Sequence, residues 1–326
     1  STVHYVHSNR KGDVMLKYVL KRLGYILVTL WVIVTCTFFM MKNLPGTPFD
    51  AERFSIMTPQ QQERVLEMYG LNDSLPMQYV KYIKNMLKGD LGTSFTYVNQ
   101  DVSKVITGRL GPSALIGIQA VLIGLAIGLI LGILAAWKHN SGIDYFTMIL
   151  AVLGVSVPNF VAAALLQYYI GLKWGVLPVG FWTGWNCSVL PSIALSFSAT
   201  AMVARFMRTE MLDVLDQDYI VTARAKGLSQ MKVLMRHAVR NSILPVVTIL
   251  GPIVVNLMTG SLAVENIFSI PGIGSLFVDC IKANDYPVIM GITIFYAAFY
   301  MLVVLLVDLA YSLIDPRIRL AKGKES

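Results

Sequence analysis

The sequence predicts an all-α polytopic membrane protein with six transmembrane helices, and three observations carry that reading. The chain is 55% hydrophobic and only 14% charged, with a mean hydropathy of +0.61, whereas a soluble domain carries about 25% charged residues. Two stretches, Leu110–Trp137 and Tyr145–Leu172, each run 28 residues without a charge, beyond the roughly 20 that cross a bilayer as helix. Basic residues also gather on one set of connecting segments. With the N-terminus inside, 17 of the 27 Lys and Arg fall on the inner side, and among short loops only Lys173 and Lys282 lie outside; this is the bias that orients membrane proteins. The net charge of +8 therefore needs no nucleic-acid partner.

Residues 1–14 are polar and precede Met15, a plausible start. They are expected to be a disordered extension or an expression-tag remnant, so His4 and His7 receive no metal role. Residues 15–109 hold the first span and a long external loop. Leu23–Met41 is 19 residues without a charge, preceded by Lys17, Lys21 and Arg22; no small-residue cleavage site follows, so it reads as a retained anchor. From Lys42 to Arg109 eight basic and seven acidic residues mix. Pro59–Tyr69 looks helical there, which suggests a small folded insertion.

A core over 110–314 holds the other spans, and 315–326 forms a cytoplasmic tail. Gly117, Gly124, Gly128 and Gly132 line one side of the second span, a pattern that lets helices approach closely in lipid; packing is the simpler role, pore lining the alternative. Pro158, beside Asn159, interrupts the third span, so a kink is expected there, with substrate contact as the speculative reading. Val189–Ala204 is short, and its helix is expected to continue past Arg205 and Arg208, which can snorkel. Asn241–Val264 and Tyr286–Val307 complete the six. Cys36 lies in a span; a bridge between Cys187 and Cys280 stays open, two unrelated thiols being the simpler reading.

Between the fourth and fifth spans lies the polar run DQDYIVTARAKGLSQMKVLMRHAVRNSILP, Asp216–Pro245. Asp216 and Asp218 are candidate N-caps, Tyr219–Lys226 favours helix, Gly227 suits a left-handed C-terminal cap, and Ser229 can cap a second helix. In that second helix Met231, Leu234, Met235 and Ala238 form an apolar stripe, while Lys232, Arg236 and Arg240 recur at four-residue steps. Small residues (Ala223, Ala225, Gly227) at the bend would admit another protein's backbone. A solvated loop with basic residues near anionic headgroups is the plainer alternative. A DNA-reading helix-turn-helix is disfavoured by the span that starts at Ile243.

The run TARAKGL followed by RHAVRNSILP resembles the cytoplasmic coupling loop of ABC-importer permeases of the oligopeptide/dipeptide/nickel branch, closest to the oligopeptide permease B-type subunit. Ala223 and Gly227 match the general Glu-Ala-Ala…Gly pattern; Val221, Thr222 and His237 depart from it in the manner of the peptide branch. The LPGTPF and GDLGTS motifs of the first loop, PGIGSLFVD, NDYPVIMG and LVDLAYSLIDPRIRL resemble the same family. The resemblance covers about Met15 to Leu320. It implies a type I ABC-importer permease fold with a coupling helix, in which Ala223, Arg224, Ala225, Lys226, Gly227 and Leu228 seat on an ATPase. It also implies that Pro271, Gly272 and Gly274 face an extracytoplasmic peptide-binding protein. Further implied partners are a homologous permease, two cytoplasmic ATPases carrying ATP and Mg, and the lipid bilayer of a bacterial-type cytoplasmic membrane, with both termini inside.

The residues themselves contain no phosphate-binding Gly-rich loop, no HExxH and no paired metal ligands, so neither catalysis nor a cofactor or metal is expected in this chain. The apolar spans hold no ionisable residue before Asp308, whereas proton-driven carriers place such groups at mid-membrane. Energy is therefore expected from a partner. A stand-alone secondary transporter or channel is the rival, and a membrane enzyme a weaker one. The resemblance implies an ATP-driven importer of oligopeptides working by alternating access, with dipeptides, nickel chelates and other peptide-like solutes as the alternatives the pattern also fits.

Overall fold

The computed structural model describes residues 2–43, 51–68, 70–97, 99–258 and 262–314. Apart from one antiparallel bridge between Thr93 and Asp101, the regular structure among them is helical. In order the helices are α1 (Thr2–Lys42), α2 (Ala51–Ile56), α3 (Pro59–Met68), α4 (Leu75–Leu87), α5 (Val102–Trp137), α6 (Gly142–Ser156), α7 (Asn159–Leu166), α8 (Val189–Leu215), α9 (Asp218–Ala225), α10 (Gln230–Val233), α11 (Arg240–Met258), α12 (Leu262–Ile267), α13 (Ile273–Lys282) and α14 (Tyr286–Ile314). Two π-helical segments interrupt the series, Gln167–Lys173 after α7 and Leu234–Val239 between α10 and α11. The LPGTP motif at 44–48 and the tail from 315 lie outside the described residues.

Five helical stretches among the described residues are long and apolar enough to span a bilayer. Six result if α6 and the helix from Asn159 to Lys173 count as one span, bent by 100° at the break. The expected kink at Pro158 is thus a sharp break: the proline caps α7 with no backbone N–H to donate, and α6 ends at Ser156 before it. α1 starts at Thr2, so the segment expected to be disordered continues the first span's helix. Propagation there adds a backbone hydrogen bond for each residue fixed, and no proline stops it.

The chain forms two bodies. The first comprises residues 1–108 and 277–302. In it α4 packs beside α1: Thr35 Oγ1 and Tyr79 Oη lie 2.7 Å apart, and Phe38, 3% exposed, meets the Tyr79 ring edge-on at 5.4 Å. The GDLGTS segment is anchored by Asp285, whose carboxylate accepts from Ser94 Oγ (2.5 Å), Phe95 N (3.2 Å) and Thr96 N (3.0 Å). Asp285 also lies 3.4 Å from Val288 N at the start of α14. Its side chain is completely buried, and these donors replace the water it gave up.

The second body comprises residues 109–276 and 303–326 and is organised around α8. Two-thirds (67%) of α8's most apolar window is buried, against 28% for α5. The glycine stripe of α5 explains the closeness: a Cβ at Gly124, Gly128 or Gly132 would stand 2.7–2.8 Å from α8 atoms of Ala199, Val203, Ala204 or Met207. These glycines pack helices, as the simpler reading had it. α8 continues to Leu215, but Arg208 does not snorkel. Its guanidinium forks onto the buried Asp144 at the start of α6, Nε to Oδ1 2.6 Å and Nη2 to Oδ2 2.8 Å, with His139 Nδ1 3.2 Å from the same carboxylate. Satisfying a carboxylate that is 2% exposed outweighs reaching for water. A buried acid stands just outside each of two uncharged runs, Asp144 one residue before Tyr145 and the equally buried Glu265 one residue after Val264. Among the described residues no disulfide joins Cys187 to Cys280.

Candidate coupling segment and the buried carboxylate

The polar run between the fourth and fifth spans folds as a helix, an elbow and a second helix. α9 stops at Ala225, Lys226 is its C-cap, and Gly227 takes φ +76°. Gly227 N donates to Arg224 O (2.9 Å) and Leu228 N to Ala223 O (3.4 Å). That crossed pair is the glycine-dependent helix stop the sequence indicated. The N-caps differ from expectation. Gln217 occupies the α9 cap and Asp218 is the first helical residue, while Asp216 instead ends α8; Ser229 does stand at the α10 cap, without a side-chain hydrogen bond. Asp218 still lies where negative charge complements a helix start.

Ile220, Ala223 and Val233 form a small buried cluster with Val214, Leu215 and Leu228 around them. Ala223 is therefore turned inward, 4% exposed, and Leu228 is half-buried. Of the six residues assigned to the elbow, Arg224, Ala225, Lys226 and Gly227 remain on the surface. Beyond the elbow, the stripe of Met231, Leu234, Met235 and Ala238 is broken. Leu234 and Ala238 are buried with Val233, whereas Met231 and Met235 are about half exposed, 51% and 53%. The cause is the π segment from Leu234: a wider turn shifts which residues share a face, so a 3.6-residue count misplaces them. Tyr219, Val221, Met231 and Met235 are thus exposed apolar side chains in the same segment as the exposed Arg224 and Lys226. Ser242 pins the start of α11 to α8, its Oγ donating to Ala238 O (2.9 Å) and lying 3.2 Å from Glu210 O.

The PGIGS segment has a feature the sequence reading missed. Glu265 of α12 is 2% exposed and its carboxylate accepts from Ser113 Oγ (2.7 Å), from Ser275 N (2.9 Å) and from the Gly274 backbone. Ser113 Oγ in turn accepts from Ile273 N (2.9 Å). The first amides of α13 thus converge on this one acidic side chain, where the helix start favours negative charge. Pro271 is half-buried, and Gly272 and Gly274, expected to face a binding protein, are buried against Glu265. A Cβ on Gly272 would overlap the carboxylate, so only glycine lets the turn wrap it this closely. The signal in the sequence was an acidic residue seven positions before a Gly-Ile-Gly turn; the span boundary drawn at Val264 hid it.

Comparison with known proteins adds an independent line. Residues 128–320 match the family described as binding-protein-dependent transport system inner membrane component, and residues 15–112 match the description binding-protein-dependent transport system membrane component, N-terminal. The dipeptide transport system permease protein DppB of Lactococcus lactis is 46% identical over 94% of this chain and all of its own length, and DppB of Bacillus subtilis is 43% identical over 94% and 99%. The oligopeptide transport system permease protein OppB of Escherichia coli is 38% identical over 94% of this chain and its full length. Among solved structures, an amino acid ABC transporter aligns with 66% of this chain and 94% of its own at 19% identity and a TM-score of 0.49.

Proposed function

Since this chain belongs to the family of binding-protein-dependent transport system inner membrane components, we propose that it is one permease subunit of an ATP-driven importer of peptides. The observation that carries the reading is the end-to-end relationship, at 38–46% identity, to dipeptide and oligopeptide permeases. Identities of 46% and 43% to the two dipeptide permeases, above the 38–39% of the oligopeptide ones, favour short peptides within that class. A second, homologous permease completes the translocation path, and ATP and Mg are handled by two cytoplasmic ATPase subunits. The exposed Arg224–Gly227 elbow, with the exposed apolar side chains of α9 and the segment after it, supplies the surface on which an ATPase seats. Closure of the ATPases pushes α9 and α10, and the Ser242 tether conveys that displacement to α8 and α11. A peptide-binding protein delivers solute to the opposite side, over the long first loop and the Pro271–Gly274 region. In this arrangement the chain lies in the cytoplasmic membrane with both termini inside.

The test is uptake of radiolabelled di-, tri- and pentapeptides into vesicles holding the reconstituted complex. Uptake is expected to require ATP and the binding protein and to ignore an imposed proton gradient. Gradient-driven uptake by this chain alone would move it to the secondary transporters.

A further inference from the structure

A pocket of about 410 Å³ opens where the coupling segment joins α11, lined by Arg236, His237, Arg240, Asn241 and Leu244. Among the described residues neither arginine enters an ion pair, although both line the same space. Two unmatched cations four residues apart on one helical face repel each other and favour an anion between them. The location says which kind. From Gln230 to Met258 the chain is helical through segments of 4, 6 and 19 residues, roughly 43 Å at about 1.5 Å per residue, more than the ~30 Å of bilayer hydrocarbon. Its uncharged part begins at Asn241, so Arg236 and Arg240 stand within about two turns of the hydrocarbon edge, at headgroup depth. Leu244, the one apolar lining residue, lies on the hydrocarbon side.

We propose that this pocket is a specific site for the phosphate of an anionic phospholipid. Arg236 and Arg240 grip the phosphate oxygens, His237 and Asn241 flank it, and Leu244 meets the first carbons of the acyl chains. Arginine suits the task because its planar fork binds two phosphate oxygens at once. The site also touches the coupling machinery, because Asn241 Nδ2 donates to Tyr219 Oη of α9 at 3.0 Å. A bound headgroup would hold Asn241 in place and so steady α9. The proposal depends on α11 being a span and not on the importer reading, so its failure and that reading's failure are separable.

The experiment is native mass spectrometry of the detergent-purified full complex titrated with phosphatidylglycerol, phosphatidylcholine or inorganic phosphate. One phosphatidylglycerol is expected to persist on this subunit, unchallenged by phosphatidylcholine. Arg236→Gln and Arg240→Gln should each weaken it about tenfold or more, the weight of a charge-assisted hydrogen bond. Lys232→Gln, which removes the same charge from an exposed position outside the pocket, should cost less than about fivefold, as an unspecific surface charge does. Equal loss in Lys232→Gln, or equal retention of phosphatidylcholine by the wild type, overturns the site. Displacement of phosphatidylglycerol by millimolar inorganic phosphate would assign the anion site to free phosphate and overturn the lipid.

Discussion

At the scale of single residues, Gly227 and Gly272 separate two uses of glycine. Gly227 needs its backbone conformation, φ +76°, while a Cβ there would meet nothing within 4 Å. Gly227→Ala should therefore cost only the left-handed penalty, about 1 kcal/mol, and Gly227→Val somewhat more because of its branched side chain. Both variants are expected to reach the membrane at wild-type levels, with the loss appearing in transport-coupled ATPase activity and larger for Val. Wild-type coupling in Gly227→Val would reduce the elbow to a solvated loop. Gly272 has the opposite constraint: its added methyl would strike the Glu265 carboxylate. Gly272→Ala should lower the thermal midpoint of the purified complex, and Glu265→Ala should partly relieve it in the double variant, since the obstacle is then gone. Glu265→Ala by itself leaves Gly274 and Ser275 amides without their acceptor, a cost of about 1–3 kcal/mol for each buried donor.

At the scale of elements, the π segment Leu234–Val239 makes a prediction that an α-helix cannot share. It holds an extra residue in its turn, so deleting one residue can convert it to α-helix and leave the flanking helices in phase. Deleting Met235 should permit folding and membrane insertion, whereas deleting Ile249 from α11 rotates everything beyond it by about 100° and should not. Expression and detergent stability of the two deletions decide the matter; comparable failure of both would mean that the wide turn carries no spare residue. The Asp144–Arg208 fork is the other element-level device, joining the start of α6 to α8. Arg208→Met leaves a carboxylate with 3% side-chain exposure without its cation and should destabilise the complex by about 3–5 kcal/mol, while Asp144→Asn paired with Arg208→Met should recover part of it. Equal midpoints for the single and double variants would show that the two side chains do not depend on each other.

For the whole molecule, the decisive quantity is the number of crossings. The bent pair of α6 and the Asn159–Lys173 helix counts as one crossing if the chain enters and leaves on opposite faces. Six crossings place Gln78 outside and Ser229 inside. A membrane-impermeant maleimide should label Gln78→Cys in intact cells and Ser229→Cys only after permeabilisation, measured in a background lacking the native cysteines. Labelling of both from one side would make the bent pair a re-entrant loop and change the span count.

How much of this was written in the sequence follows from the range of the forces involved. Uncharged runs of 19 and 28 residues, the excess of arginine and lysine on one side, and a lone glycine after Ala225 are local signals. Water, lipid and backbone sterics act on them wherever the chain folds, so spans, elbow and helical class could be read directly. Resemblance to peptide permeases was legible too, because short motifs kept their order along the chain. The partners of charged residues were not legible. Arg208 and Asp144 are 64 positions apart, Ser113 and Glu265 152, and Ser94 and Asp285 191. Whether such a side chain snorkels to water or is buried with a counterpart depends on which helices pack together; Pro158 marked the place of a kink but not its 100° angle, and the π turn at Leu234 escapes a count that assumes continuous α-helix. Tertiary structure decided those because a buried carboxylate is tolerated only where donors from distant parts of the chain converge on it.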